Sequence, residues 1–185
     1  DMEERYIFSK LESTIKKVTN LMETMRIDEC IAPIEELFLE LSRTYIQMVR
    51  DKSAVGSEAE RHTVLYAIST VLLETLKIFS IIAPFITETI YQNLNEEFNL
   101  KEESIHHYSW PEYDDESIAV GLEEEFSIAK QIIQSALGVR EKLNRGLRWP
   151  VGEMIIVSED ERVRNATEKM AGIIKRQTNT KNLVI

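Results

Sequence analysis

The segment best suited to binding chemistry is residues 140–150, which read REKLNRGLRWP. It holds four cationic side chains and an indole, in a chain whose net charge is -10. Guanidinium groups can contact phosphates and base edges, and an indole can stack on an unpaired base. The same side chains could instead bind helix-end carbonyls, pair Glu141 with Arg145 and fill a domain junction with Trp149. Spacing alone favours this packing interpretation.

The remaining side chains do not predict self-contained catalysis. The histidines are His62 and the adjacent pair His106 and His107, and no cysteine or aspartate lies at metal-ligand spacing around them. The sequence contains no phosphate-binding loop and no nucleophile-elbow motif. We therefore expect neither a metal nor another cofactor in these residues. A single cysteine, Cys30, cannot form an internal disulfide and fits a reducing compartment, so we expect a cytoplasmic location.

The negative charge is concentrated in one part of the chain. Residues 95–125 carry 1 positive and 11 negative side chains, whereas residues 126–185 carry 11 positive and 6 negative ones. The overall acidity argues against nucleic-acid binding, and the basic end of the chain weakens that objection. The longest apolar runs fall short of the roughly 20 residues that a membrane helix needs, so we expect no contact with a membrane.

Apolar residues recur at helical spacing through most of the chain. The pattern predicts helices at 3–25, 29–51 and 58–82, a fourth that starts at Pro84, and a long fifth at 119–144. Short connections between the first four helices predict an up-and-down bundle. The acidic residues 95–117 lose this periodicity and predict a loop, in which Trp110 is the expected fixed point.

Beyond the long helix, the pattern changes to strand, helix, strand. Apolar runs at 154–157 and 182–185 predict two strands, joined by a helical crossover at 159–177. The predicted fold is therefore mainly α, with an up-and-down helical bundle, a long helix and a small strand–helix–strand subdomain. We divide the chain into 1–117 (bundle with acidic loop), 118–150 (long helix and basic turn joining the two parts) and 151–185 (small α/β subdomain, expected to be truncated).

Arg140 falls on the apolar face of the fifth predicted helix. At 100° per residue it follows Ala136 by one turn, whereas Lys142 and Arg145 point away from that face. A guanidinium on an apolar stripe needs a partner or an opening to solvent, because unpaired burial is costly. We expect the helix to end at Gly146.

Several segments resemble a known family. LRWPV at 147–151, preceded by Arg140 and Glu141, resembles the signature that follows the anticodon-binding bundle of class I aminoacyl-tRNA synthetases, most closely those of the archaeal and eukaryotic isoleucyl type. Further segments are similar to this family in the same order, namely RYIFSKL at 5–11, LFLELSRTYIQMVRD at 37–51, APFITETIYQNL at 83–94, SIHHYSWP at 104–111 and NTKNLVI at 179–185. Together they cover nearly the whole chain.

The chain departs from the family pattern at a few positions. Tyr6 stands where the family usually has tryptophan, and Thr44 stands where a tryptophan normally precedes Tyr45. Within the basic segment the family typically reads RExAGIKLRWP, with its glycine before the Ile-Lys pair, whereas here Asn144 and Arg145 precede the glycine. Asn144 could itself adopt the left-handed conformation.

The resemblance implies a non-catalytic fragment that binds tRNA. The family's HIGH and KMSKS signatures do not occur in this sequence, so ATP-dependent aminoacylation, with magnesium, would take place in a catalytic domain of the same chain outside these residues. The bundle would dock along the anticodon arm of a tRNA, expected to be isoleucine-specific, and would help to place its acceptor end. The residues that we expect to bind tRNA are Arg140, Arg148, Trp149, Lys142, Arg145, Arg43 and Arg50.

Two alternatives stay open. The chain could be the equivalent domain of a valyl-, leucyl- or methionyl-tRNA synthetase, although LRWPV and the strand–helix–strand tail favour isoleucine. It could also be a helical protein-interaction module without RNA binding, which would use an exposed apolar groove for its partner.

Overall fold

The helical bundle is built from the first 118 residues. The computed structural model describes residues 1–185 and divides them into two compact units, 1–118 and 119–185. The α-helices of the first unit are α1 (Met2–Glu23), α2 (Ile31–Leu39), α3 (Ile46–Met48), α4 (Arg50–Val55), α5 (Glu58–Phe79) and α6 (Pro84–Phe98). Short 3₁₀ helices lie at Ile27–Cys30, Ile105–His107 and Asp115–Ser117. The predicted mainly helical fold is confirmed.

The core of the first unit lies between α1, α2 and α5. Each of these helices presents apolar residues at spacings of three and four, which places them on one face. The buried side chains include Ile7, Leu11, Ile15 and Val18 of α1, Ile34 and Leu37 of α2, and Val64, Ala67, Val71 and Ile78 of α5. Cys30 is buried among them as a free thiol.

The second predicted helix, 29–51, is not one continuous α-helix. After α2, the residues Glu40–Tyr45 form a π-helical segment, and the chain then continues through α3, a bend at Val49 and α4. Glu40 and Tyr45 are both buried although they are five residues apart. An i→i+5 turn brings such positions onto one side, which an α-helix would not do.

Buried hydrogen bonds to α1 hold the π-helical segment in place. The Tyr6 hydroxyl donates to the Glu40 carboxylate at 2.6 Å, and the Tyr45 hydroxyl donates to the Glu4 carboxylate at 3.3 Å. Burial and the neighbouring Glu4 charge raise the pKa of Tyr45, so its hydroxyl stays protonated as a donor. These polar partners explain why apolar spacing alone mispredicted this helix.

The acidic loop after α6 is fastened to α1. The Trp110 indole N–H donates to the Thr19 hydroxyl at 2.9 Å, and the backbone N–H of Asp114 donates to the Glu12 carboxylate at 2.8 Å. Burial raises the pKa of Glu12, although the hydrogen bond from Asp114 opposes that shift. Trp110 is therefore the fixed point that its position before a proline suggested.

The central helix α5 is long and apolar enough to cross a membrane by length and composition. Core helices of globular proteins meet the same criterion, and Val64, Ala67 and Val71 of α5 belong to the core. A capping box fixes its start: the Ser57 hydroxyl accepts from the Glu60 N–H at 3.3 Å, and the Glu60 carboxylate accepts from the Ser57 N–H at 2.7 Å. In this structure α5 is a bundle helix.

The second unit packs a long helix against the two crossover helices of a small parallel sheet. Its elements are α7 (Val120–Lys142), β1 (Val151–Ile155), α8 (Glu161–Lys169), α9 (Ala171–Thr178) and β2 (Thr180–Val184). The two strands are parallel, with Val151 opposite Thr180 and Ile155 opposite Val184. The predicted order of strand, helical crossover and strand is confirmed.

Three details of this unit differ from the predictions. Both strands begin earlier than 154–157 and 182–185, because pairing starts directly after the preceding turns. The crossover at 159–177 is two helices, separated at Met170, whose side chain is fully buried. Our division set 118–150 apart as a joining segment, whereas α7 packs against α8 and α9 and so shares one unit with the sheet.

Replacing Trp110 with Phe should destabilise the first unit by about 1 kcal/mol, because the Thr19 hydroxyl loses its partner while the aromatic packing is kept. Urea denaturation followed by far-ultraviolet circular dichroism measures this loss. Thr19→Val should cost a similar amount, and the double variant should cost clearly less than the sum of the two. Additive losses would show that the bond contributes nothing.

Candidate nucleic-acid interface

The basic turn begins where α7 ends in a left-handed cap. The backbone N–H of Asn144 donates to the Glu141 carbonyl at 2.9 Å, and the N–H of Arg145 donates to the Arg140 carbonyl at 2.8 Å. Asn144 has a φ of 52°, the conformation that asparagine tolerates better than most side chains. The chain therefore leaves the helix at Asn144, in agreement with the predicted range 119–144 and with the left-handed conformation considered for Asn144, and two residues before Gly146.

Arg140 is buried beneath this turn. Only 6% of its surface is exposed, as its position on the apolar face of the helix indicated. Its Nη2 donates to the carbonyl oxygen of Gly146 at 2.8 Å and to that of Trp149. The guanidinium therefore closes the turn over the helix end. It is not exposed for the tRNA contact that we predicted, because its side chain is buried and binds backbone carbonyls of the turn.

The other predicted side chains of the turn lie on the surface. Lys142, Arg145 and Arg148 are exposed and form no side-chain hydrogen bond or ion pair. The Trp149 indole is 67% exposed. The packing interpretation was therefore wrong on two points: Glu141 does not pair with Arg145, and Trp149 does not fill a junction. Both follow from the turn at the helix end, which carries these side chains outward.

Asn179 fastens the turn to the second strand, a role that the sequence analysis missed. Its side-chain amide N–H donates to the Leu147 carbonyl at 2.8 Å, and its backbone carbonyl accepts from the Val151 N–H at 3.0 Å. With a φ of 47° it also ends α9 in the left-handed conformation. An asparagine directly after an amphipathic helix was the available signal.

The last two candidates lie in the first unit. Arg43 belongs to the π-helical segment and Arg50 opens α4. Both are exposed and form no side-chain hydrogen bond or ion pair. The structure thus groups the candidates of the basic segment on one turn and places Arg43 and Arg50 in a separate unit.

The groups in this region suit binding by charge and stacking. No group of three or more His, Cys, Asp or Glu side chains could hold a metal ion. The turn carries three exposed cations and an exposed indole, and it is held at Arg140 and at Asn179. Such a combination can contact phosphates and stack on an unpaired base.

Comparison with known proteins identifies the family. The model of the anticodon-binding domain of tRNA ligase matches residues 4–156. The chain belongs to this family. The match includes nearly the whole bundle, α7, the basic turn and β1.

Curated relatives of this anticodon-binding domain are archaeal isoleucine–tRNA ligases. The enzyme of Thermococcus kodakarensis is 35% identical over 99% of this chain, that of Methanocella arvoryzae 32% over 100%, and that of Archaeoglobus fulgidus 34% over 98%. The chain spans 17% to 18% of the length of these relatives. The resemblance predicted from the motifs is therefore confirmed.

Replacing Arg140 with Met should lower the free energy of unfolding of the second unit by about 1–3 kcal/mol, because the Gly146 and Trp149 carbonyls lose their donor. Tryptophan fluorescence in a Trp110→Phe background follows this unit through Trp149. Lys142→Met, at an exposed position, should change stability by less than about 0.5 kcal/mol. Equal effects of the two substitutions would contradict a bracing role for Arg140.

Proposed function

We propose that the protein grips the anticodon arm of a tRNA as part of an isoleucine–tRNA ligase. The observation that carries this proposal is the exposed indole of Trp149, held next to Arg148 on a turn that Arg140 braces from inside. Membership of the anticodon-binding family and the isoleucine–tRNA ligase relatives support it.

The contacts that we propose follow from the chemistry of an RNA loop. Loop bases can unstack and present their faces, and stacking on an aromatic side chain is worth about 1–3 kcal/mol per base. Trp149 would supply the stacking surface, while Arg148, Lys142 and Arg145 would neutralise nearby phosphates. Arg140 would act as a positioning residue, because its buried guanidinium fixes the turn that carries the others.

Arg43 and Arg50 would add contacts to the RNA backbone from the first unit. Both side chains are exposed and uncommitted to any ion pair. An arginine that meets only phosphate carries no sequence information, so these two would add affinity and leave the choice of tRNA to the basic turn.

Aminoacylation itself would take place outside these residues. In this proposal a catalytic domain of the same polypeptide uses ATP and magnesium to join isoleucine to the tRNA, in the cytoplasm. The present residues would contribute by position, since a tRNA held at its anticodon arm presents its acceptor end in a restricted orientation. The small share of the relatives' length that the chain spans agrees with such a division of labour.

Replacing Arg148 with Ala should weaken tRNA binding by about 1–3 kcal/mol, because an exposed cation that meets RNA is lost. Its Tm should stay unchanged, since this side chain is exposed and forms no hydrogen bond or ion pair. Filter binding at a fixed salt concentration measures the affinity. Arg162→Ala, which removes an exposed arginine of α8 whose guanidinium pairs with Asp160, is the control for the loss of one cation and should leave the affinity unchanged. A fall in Tm that matches the loss of binding would contradict the proposal.

A salt titration tests whether RNA is the partner at all. The logarithm of the association constant should fall linearly with the logarithm of the salt concentration, with a slope of about 0.7 per neutralised phosphate of single-stranded RNA. Isoleucine tRNA should bind more tightly than a tRNA with a different anticodon. A flat salt response would favour a protein-interaction module instead, and equal affinity for both tRNAs would contradict isoleucine specificity.

A further inference from the structure

Three carboxylates are buried between α1 and the residues that follow α2. Glu3, Glu4 and Glu40 are 5% to 6% exposed, and side chains of this type are almost never buried unless they are paired. Glu40 accepts from Tyr6 at the start of the π-helical segment, and Glu4 accepts from Tyr45 at its end. Both ends of the segment are therefore bonded to α1.

The cations of this part of the chain fall into two kinds. Lys52 of α4 donates to the carboxylates of Glu3 and Glu4 at 3.3 and 3.4 Å, so its charge is neutralised against α1. Arg43, in the middle of the π-helical segment, is exposed and forms no side-chain hydrogen bond or ion pair. The buried network thus holds the backbone that carries Arg43 and leaves its guanidinium free to bind an anion.

The π-helical turn depends on this support. Such turns occur mostly singly within α-helices, frequently at functional sites, and ordinary α-helical hydrogen bonding competes with them. Other interactions must therefore favour the wide turn over an α-helical one. Here the charged acceptors strengthen the two hydroxyl bonds. Removal of either hydroxyl takes a donor from a buried carboxylate, and the segment then loses an interaction that favours its conformation.

We propose that Tyr6 and Tyr45 are positioning residues for the contact between Arg43 and the backbone of the RNA. Neither hydroxyl reaches the RNA, because both side chains are buried. Each holds one end of the π-helical segment, and the segment directs the guanidinium. A side chain that is already directed at its phosphate loses less conformational freedom on binding, which increases affinity. The role rests on the proposed function, since Arg43 must meet a phosphate for its direction to matter.

Amide hydrogen exchange without RNA, followed by mass spectrometry, tests whether the hydroxyls hold the segment. In Tyr6→Phe and in Tyr45→Phe, residues 40–45 should exchange about fivefold faster or more, because the segment opens more often. Tyr91→Phe is the matched control, since it removes another 2.6 Å hydroxyl bond of a buried tyrosine, to the Glu102 carbonyl, from the first unit. It should leave the exchange of residues 40–45 unchanged. If the first two substitutions do not speed this exchange, or Tyr91→Phe speeds it equally, the proposal is overturned.

Binding of isoleucine tRNA at several salt concentrations tests whether the segment directs Arg43. Arg43→Gln should weaken binding by about threefold and lower the slope of the salt dependence by about 0.7–0.9, the share of one phosphate. Tyr6→Phe should produce both changes although it removes no charge, because the guanidinium is no longer held in position. Tyr91→Phe should produce neither change at a temperature at which all variants are folded. A role of Tyr6 confined to stability would leave the slope unchanged in Tyr6→Phe, and this result would overturn the proposal.

A double variant separates this role from the proposed function. In an Arg43→Gln background, Tyr6→Phe should have no further effect on affinity, since Tyr6 acts through Arg43, and additive losses would overturn the proposal. If Arg43→Gln alone leaves the salt slope unchanged, the RNA contact of Arg43 is refuted and the positioning role with it. If Arg43→Gln lowers the slope and Tyr6→Phe does not, only the positioning role is refuted. Should Tyr6→Phe fail to fold, Tyr45→Phe takes its place in both comparisons.

Discussion

Two carbonyl oxygens, of Gly146 and Trp149, converge on the guanidinium of Arg140, and the form of the basic turn depends on this contact. Taking a charge out of water costs several kcal/mol unless partners replace the lost hydration. Here the partners of Nη2 are main-chain carbonyls of the turn itself, so opening the turn would remove the hydrogen bonds of this guanidinium. The buried cation at the end of α7 thus fixes the connection to β1. It also fixes the backbone from which the exposed side chains of the turn project.

The exposed indole is the counterpart of the buried arginine. Burying a large aromatic side chain stabilises a fold by about 1.5–3 kcal/mol, and a residue that served packing would collect this free energy. Trp149 does not gain most of this free energy, since about two thirds of its surface is exposed to solvent. Asn179 also binds the Leu147 carbonyl and so ties the turn to the start of β2. The aromatic surface of Trp149 stays exposed at a cost in folding stability, which suits a function in binding.

Apolar periodicity predicted most of the fold, because burial of one helix face decides most of these elements. It placed α1, α5 and α7 within a few residues, and it placed Arg140 inside. It failed where polar groups determine the backbone conformation. The π-helical segment depends on buried hydrogen bonds from Tyr6 and Tyr45, and the spacing of apolar residues does not predict such bonds. The exposure of Trp149 could not be predicted for the same reason. It depends on where the carbonyls of the turn point, and that direction is fixed only after Asn144 has turned left-handed.

The π-helical segment has a consequence for how charge is distributed over the first unit. In an unbroken α-helix, residues seven positions apart lie on the same stripe, and Arg43 and Arg50 would form one cationic row. The wide turn at Glu40–Tyr45 acts like an inserted residue, and the bend at Val49 adds a change of direction. The two guanidinium groups therefore fall out of phase around the helix axis. A rigid, straight polyanion would meet them one at a time, whereas a strand that curves around the helix could meet both.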